Sequence, residues 1–289
     1  WLRHPEGEIF LKKSVRRLWM VLSLALVTGA ALLAVRMLPA GEVIETGASL
    51  PESSAETSSE PASTPEPSSQ PEPEPEPSVV TFLSAGDDLI HNSIYEQAAA
   101  RAENGGYDFT YAYANVAETI RAADIATINQ ETVIAPMYEP STYPCFNSPP
   151  QLADTLQDIG FDVYNVANNH VLDKGETGLI NCLEFWRDSW PDALVTGAYL
   201  NKEDAGNIRT LEKNGLTFAF LGMTELTNGL SLPQGSEVVL VQGEDEAALQ
   251  SRIQAAREVA DVVIMNVHWG NEYTHTPTER QRYLAEKMT

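Results

Sequence analysis

The sequence has 289 residues, with 41 Asp and Glu against 18 Lys and Arg, and a net charge of −23. Such a balance speaks against a nucleic-acid binder, which needs a basic face to neutralise phosphates. Two cysteines, Cys145 and Cys182, with no Cys-x-x-Cys between them, speak against a thiolate zinc site. Both read as small, partly buried residues.

The charge is unevenly distributed along the chain. Residues 1–36 hold six Lys/Arg against two acids, residues 37–78 hold nine Glu and no base, and residues 79–289 carry −18. The chain opens on Trp1, so the natural start is expected upstream. Residues 1–17 read as a basic cytoplasmic segment containing Lys12-Lys13 and Arg16-Arg17. Residues 18–35 are uncharged and are closed by Arg36. Eighteen residues in a helix span about 27 Å, close to the hydrocarbon thickness of a bilayer. Residues 18–36 are therefore predicted to form a transmembrane anchor. The basic side faces the cytoplasm, and the rest lies outside the cell membrane. A cleaved signal peptide competes with this reading, although Leu38-Pro39-Ala40 is a poor cleavage site. Residues 37–78, rich in Pro, Glu and Ser, have too little apolar surface to fold and read as a disordered, extended spacer.

The folded domain is predicted to occupy 79–289. Buried strands are expected at 79–83, 125–128, 162–167 and 262–267. Helices are expected at 94–101, 112–123, from Ser148-Pro149 to Gly160, at 176–190 and at 247–259. Asn214-Gly215 between two apolar runs predicts a hairpin over 208–221. Trp186, Trp190 and Trp269 read as core or pocket wall. Strands that alternate with helices and are buried on both faces give an α/β layered domain.

All four buried strands end in chemistry-bearing groups. They are Asp87 with Asp88, Glu131, Asn169-His170, and His268 with Glu272. Each alone could be an ordinary polar turn; Asn168-Asn169 tolerates left-handed backbone, and Asp173 with Gly175 could start a helix. Ligands in open α/β sheets bind beyond the carboxyl ends of strands, so four such ends in one domain point to a site. Carboxylate, amide oxygen and imidazole together suit Mn, Fe or Zn. A pair of such ions can clamp the attacking and leaving oxygens of a phosphoryl transfer.

These residues also resemble a known family. Gly86-Asp87, Asn129-x-Glu131, Ala167-Asn168-Asn169-His170 with Asp173 and Gly175, and His268-Trp269-Gly270-x-Glu272 are similar to the CapA family. Its members are poly-gamma-glutamate capsule biosynthesis proteins on a calcineurin-like metallophosphoesterase fold. Phe146-Asn147-Ser148-Pro149 fits the same pattern. The resemblance implies a layered α/β sandwich with helices outside. It assigns Asp87, Glu131, Asn169 and His268 as ligands of two divalent metal ions and His170 as the catalytic residue. Asp88, His91, Asn129, Asp173 and Glu272 would support them. There are departures from the family's pattern. Leu89 stands where metallophosphoesterases carry the imidazole of Asp-x-His, and Glu131 stands where the wider superfamily has Asp. The closing Gly-His-His-Pro-His type motif lies nowhere before Thr289, so the domain is expected to be truncated at its carboxyl end. His91 could replace the missing imidazole or be a surface histidine.

The function implied is a membrane-anchored, extracytoplasmic phosphoesterase-type hydrolase in capsule or poly-gamma-glutamate synthesis. The alternative is a non-catalytic component of the surface-polymer synthesis or export machinery, partnered with synthase or export subunits. A domain at −18 repels a polyanion such as poly-gamma-glutamate. Direct polymer binding would need bound cations or a local basic patch.

Overall fold

The computed structural model describes residues 31–36, 78–103 and 105–289. The strands are β1 (Ala31–Arg36), β2 (Val79–Asp87), β3 (Ile125–Asn129), β4 (Val163–Asn165), β5 (Leu194–Thr196), β6 (Ala198–Tyr199), β7 (Arg209–Lys213), β8 (Leu216–Thr224), β9 (Val239–Leu240) and β10 (Val262–His268). The longer helices are α1 (Asn92–Arg101), α2 (Gln151–Ile159), α3 (Gly175–Ser189), α4 (Glu246–Arg257) and α5 (Glu279–Met288).

Two sheets carry the fold. The first runs β1-β2-β3-β4-β5; β2 to β5 are parallel and β1 is antiparallel to β2. The second runs β10-β8-β7, with β10 parallel to β8 and β7 joined to β8 as the predicted hairpin. Asn214 and Gly215 at its turn have φ of 51° and 78°, the left-handed pair that a two-residue hairpin requires.

Side chains alternate between the two faces of each strand, and this sorts the core into layers. Val80, Ile125 and Val163 of the first sheet meet Phe218 and Phe220 of the second. On the opposite face of the first sheet, Leu83, Ala126, Ile128 and Tyr164 pack on Leu152, Leu156 and Ile159 of α2 and on Cys182 and Trp186 of α3. Ala219, Leu221 and Met223 face Leu249, Ile253 and Ala256 of α4 and Leu284 of α5. The result is helix, sheet, sheet, helix, as the layered α/β expectation required.

Several boundaries differ from expectation. The helix predicted at 112–123 is two short pieces, Thr110–Tyr113 and Ala117–Arg121. The helix predicted from Ser148-Pro149 starts later, at Gln151, with Pro150 at its N-cap, and Gly160 closes it at φ 100°. α5 was not anticipated, although Thr278-x-x-Gln281 spells its capping box.

The predicted membrane helix needs correction at its carboxyl end. Ala31–Arg36 pairs as a strand with Val79–Ser84 at the edge of β2. Hydrogen bonding to a neighbouring strand replaces helix there. No helix among the described residues is long and apolar enough to cross a membrane. The rest of the predicted anchor, the basic segment and nearly all of the predicted spacer lie outside the described residues.

Candidate active site

Parallel strands bring their carboxyl ends to one sheet edge, and register does the rest. A shift between Ser84 and Asp87 places Asp87 opposite Asn129, and Asn129 lies opposite Asn165. Three side chains on this row form a directed chain. Asn165 donates its Nδ2 hydrogen to Asn129 Oδ1 at 2.8 Å, which turns the Asn129 amide so that Nδ2 donates to Asp87 Oδ1 at 2.7 Å. The same Nδ2 lies 3.2 Å from His268 Nδ1. Asn165 is held by close packing, since a Cβ on Gly222 would sit 2.1 Å from its Oδ1.

His268 ends β10 and stands between two carboxylates. Its Nδ1 is 3.5 Å from Asp87 Oδ1 and its Nε2 is 3.9 Å from Glu131 Oε1. Burial opposes a charge on this ring, but the hydrogen bond and charge of Asp87, followed by Glu131, raise its pKa above the usual imidazole value. Asp87 is more than half exposed and Glu131 is 7% exposed. Burial would raise the Asp87 carboxyl, yet His268 and Asn129 bring it below its ordinary value. Burial and the Asp87 charge push Glu131 up to about 7, against His268 and His170. Asp88 points away into the interior, where Tyr113 donates to its Oδ1 at 2.6 Å and burial pushes it up to about 6.

Asn169 and His170 form an adjoining cluster. The backbone N–H of His170 donates to Asn168 Oδ1 at 3.0 Å, and Asn168 Nδ2 donates to the Gln130 carbonyl at 2.9 Å. These bonds lock the turn after β4 onto the end of β3. His170 Nδ1 lies 2.8 Å from Oδ2 of Asp173, whose side chain is 2% exposed and also accepts from the Phe146 backbone N–H at 2.7 Å. The Nδ1–H therefore donates to Asp173, and Nε2 is left for other chemistry. The Phe146 ring packs edge-on against His170, with centroids 4.7 Å apart. Asn169 donates its Nδ2 hydrogen to Asn228 Oδ1 at 3.3 Å, while its Oδ1 is buried without a partner.

The predicted residues thus divide. Asp87, Asn129, Glu131 and His268 contact one another in one group, and Asn169, His170 and Asp173 form the second. Among the described residues no three His, Cys, Asp or Glu side chains already stand as a metal-binding group. His91 lies edge-on against Phe146 at 5.0 Å and 3.4 Å from the Thr142 hydroxyl. It shows no bond to the ligand candidates. Glu272 is exposed and makes no hydrogen bond or ion pair among the described residues. Leu89, at the position expected of an imidazole, is half-buried. Sequence reasoning missed Asn165, Asn168 and Asn228. Asn168 sat inside a quoted motif, and nothing in the sequence links Asn228 to Asn169, 59 positions away.

The donor set fits a divalent cation. Asn169 offers an orphaned buried oxygen, Glu131 a buried carboxylate destabilised by a second carboxylate, and His268 an imidazole beside both. These are the donor types that divalent cations of the Mn, Fe or Zn class accept. Cys145 and Cys182 are both free thiols, the first exposed and the second buried.

Residues 81–289 match the family of Bacterial capsule synthesis protein PGA_cap. The chain is 35% identical to PGA biosynthesis protein CapA of Bacillus subtilis (strain 168) over 137 residues, which are 46% of this chain and 35% of that protein. It is 33% identical to Capsule biosynthesis protein CapA of Bacillus anthracis over 138 residues, 46% of this chain and 33% of that protein. The aligned part therefore spans about a third of the length of these relatives. A solved structure of a candidate 5'-nucleotidase from Staphylococcus aureus superposes with a TM-score of 0.41 at 16% identity, over 68% of this chain and 39% of that one. The family match covers most of the chain, and the protein belongs to the PGA_cap family of bacterial capsule synthesis proteins.

Proposed function

We propose that this domain is a metal-assisted phosphoester hydrolase serving the synthesis of a capsule polymer such as poly-gamma-glutamate. The observation that carries the reading is the His170–Asp173 pair beside Asn169, whose buried Oδ1 has no partner. Asp87, Glu131, Asn169 and His268 would hold divalent ions of the Mn, Fe or Zn class. Such ions would supply Lewis-acid charge at the phosphoryl oxygens.

The chain's own residues would move the proton. Asp173 accepts from Nδ1–H and holds the ring with Nε2 turned outward from that bond. Nε2–H then faces the leaving oxygen. As the oxygen of water bonds to phosphorus and gives up one proton to solvent, the bond from phosphorus to the leaving oxygen breaks, and that oxygen takes the Nε2 proton. The imidazole regains its Nε2 proton from solvent. Phe146 against the ring and Asn168 on its backbone limit the motion of this donor.

A non-catalytic scaffold within the polymer synthesis or export machinery is the second reading, and Leu89 favours it, because one cation would lack an imidazole. Full-length protein loaded with Mn2+ and offered a panel of phosphoesters separates the two. Turnover that His170→Ala abolishes supports hydrolysis. Metal binding without turnover, and a surface polymer still made by the His170→Ala strain, support the scaffold.

We place the protein at the outer face of the cell membrane. Supporting this are the basic cluster before residues 18–35 and the uncharged run itself. Pairing of Ala31–Arg36 with β2 and a span through 18–36 exclude each other, so anchoring requires β1 to leave the sheet edge. Protease added to intact cells should release the folded domain if the anchor is formed. A domain protected together with a cytoplasmic control contradicts this location.

A further inference from the structure

The loop after β8 bears on both halves of the site. Thr224, the last residue of β8, lies in register with His268, and the next residue, Glu225, donates its backbone N–H to the His268 carbonyl at 3.1 Å. The Thr224 hydroxyl donates to the Leu226 carbonyl at 2.8 Å. A tight turn follows over Thr227, Asn228, Gly229 and Leu230. Leu230 N–H donates to the Thr227 carbonyl at 2.9 Å, and the Thr227 hydroxyl donates to the Leu230 carbonyl at 2.6 Å. Asn228 and Gly229, the two central residues, have φ of 52° and 76°. That is a primed turn, and Asn-Gly is its preferred sequence.

Turn geometry alone would account for asparagine at this position. It does not account for the direction of the side chain. Asn228 Oδ1 accepts from Asn169 Nδ2 at 3.3 Å, and Asn228 Nδ2 lies 3.4 Å from His170 Nδ1. Because Nδ1–H is committed to Asp173 at 2.8 Å, the 3.4 Å approach is packing rather than a second hydrogen bond. The bond to Asn169 has a clear chemical consequence. A primary amide carries its oxygen and nitrogen on opposite branches. Engaging Nδ2 therefore turns Oδ1 the other way, and that oxygen is the buried acceptor left without a partner.

We propose that Asn228 is a positioning residue that sets the amide orientation of Asn169, so that the Asn169 oxygen and not its nitrogen meets the cation. This rests on the metal-assisted reading above. A group that orients a metal ligand typically affects metal affinity by about 10–100-fold when removed.

Gly in place of Asn228 separates the two roles. Glycine adopts φ 52° at no steric cost, so Asn228→Gly keeps the turn and removes only the side chain. With the full-length protein and Mn2+ as the probe, titration calorimetry should show affinity falling about 10–100-fold in Asn228→Gly. Asn228→Asp keeps an acceptor for Asn169 Nδ2 and should lose less affinity than Asn228→Gly. The thermal midpoints of both variants should stay near the wild-type value. If Asn228→Gly binds Mn2+ like wild type while Asn169→Ala does not, Asn228 is a turn residue only and the inference is wrong. If Asn169→Ala also binds like wild type, Asn169 is no ligand, and the metal-site reading falls with the inference.

Discussion

Asn129 donates to Asp87 at 2.7 Å because Asn165 has already taken the other end of the same amide. One residue from each of three adjacent strands forms this chain. It converts strand register into the orientation of a carboxylate at the sheet edge. Asn165, the buried member, has no solvent to replace a lost partner. Asn129→Ala should leave Asn165 Nδ2 with only the Ala167 carbonyl and cost about 1–3 kcal/mol. Chemical denaturation of the variant against wild type would measure the loss, and an unchanged midpoint would show the chain to be incidental.

Gly222 tests the packing behind that chain. A Cβ there would sit 2.1 Å from Asn165 Oδ1, whereas one on Gly86 meets nothing within 4 Å. Gly222→Ala is expected to destabilise by about 1–3 kcal/mol through forced repacking, with Gly86→Ala much milder. Thermal unfolding of the two variants side by side checks the contrast. Equal effects would contradict the close approach of the two sheets at Asn165.

Two strand-bracing carboxylates should respond to pH in opposite senses. Asp124 accepts from the backbone N–H and the hydroxyl of Thr81, and these bonds depress its pKa below 3.8. Its contribution to stability is present above the unfolded value and is lost as pH falls through the lower folded one. Asp124→Asn should therefore be less stable than wild type at pH 6, and the gap should close in strong acid. Asp162 accepts from the Ala126 N–H at 2.8 Å, but burial outweighs that bond and raises its pKa. Its ionised form disfavours the fold, so Asp162→Asn should gain on wild type as pH rises from 4 to 7. Thermal midpoints across that range decide both signs.

The thiols offer a simple check on the helix layer. Cys182 lies 3% exposed in the core with Trp186, and burial pushes its pKa up to about 11. Cys145 is exposed. Alkylation of native protein at pH 8 should label Cys145 alone, and unfolding should release the second thiol. Intact mass gives the count. Labelling of both thiols in the native state would mean that α3 does not pack as described.

Much of this architecture was readable in the sequence. β-branched runs such as Val262 to Ile264 and the Asn214-Gly215 turn declared their elements, and the polar groups at strand ends declared the candidate site. His170 and Asp173 lie three residues apart, so their pairing follows from a single turn. Less local features were hidden. Asn165 read as part of a strand, because its role depends on the register of β3 with β4. Asn228 drew no reading from the sequence, because its partner Asn169 lies 59 positions away. Glu272 stood in a family motif yet lies exposed, since the chain turns away after His268. Over Ala31–Arg36 the structure has a strand where helix was expected, for a related reason. An apolar run satisfies a bilayer and an open sheet edge equally well, and periodicity does not choose between them.

The account rests most on the division of labour between Asn169 and His170. Its most direct measurement pairs Mn2+ content with phosphoester turnover in full-length wild type, Asn169→Ala and His170→Ala. Asn169→Ala should lose metal and turnover together. His170→Ala should keep its metal and lose turnover by about 10²–10⁴-fold, the usual share of a general acid. Wild-type turnover in His170→Ala, or undiminished metal in Asn169→Ala, would contradict the account.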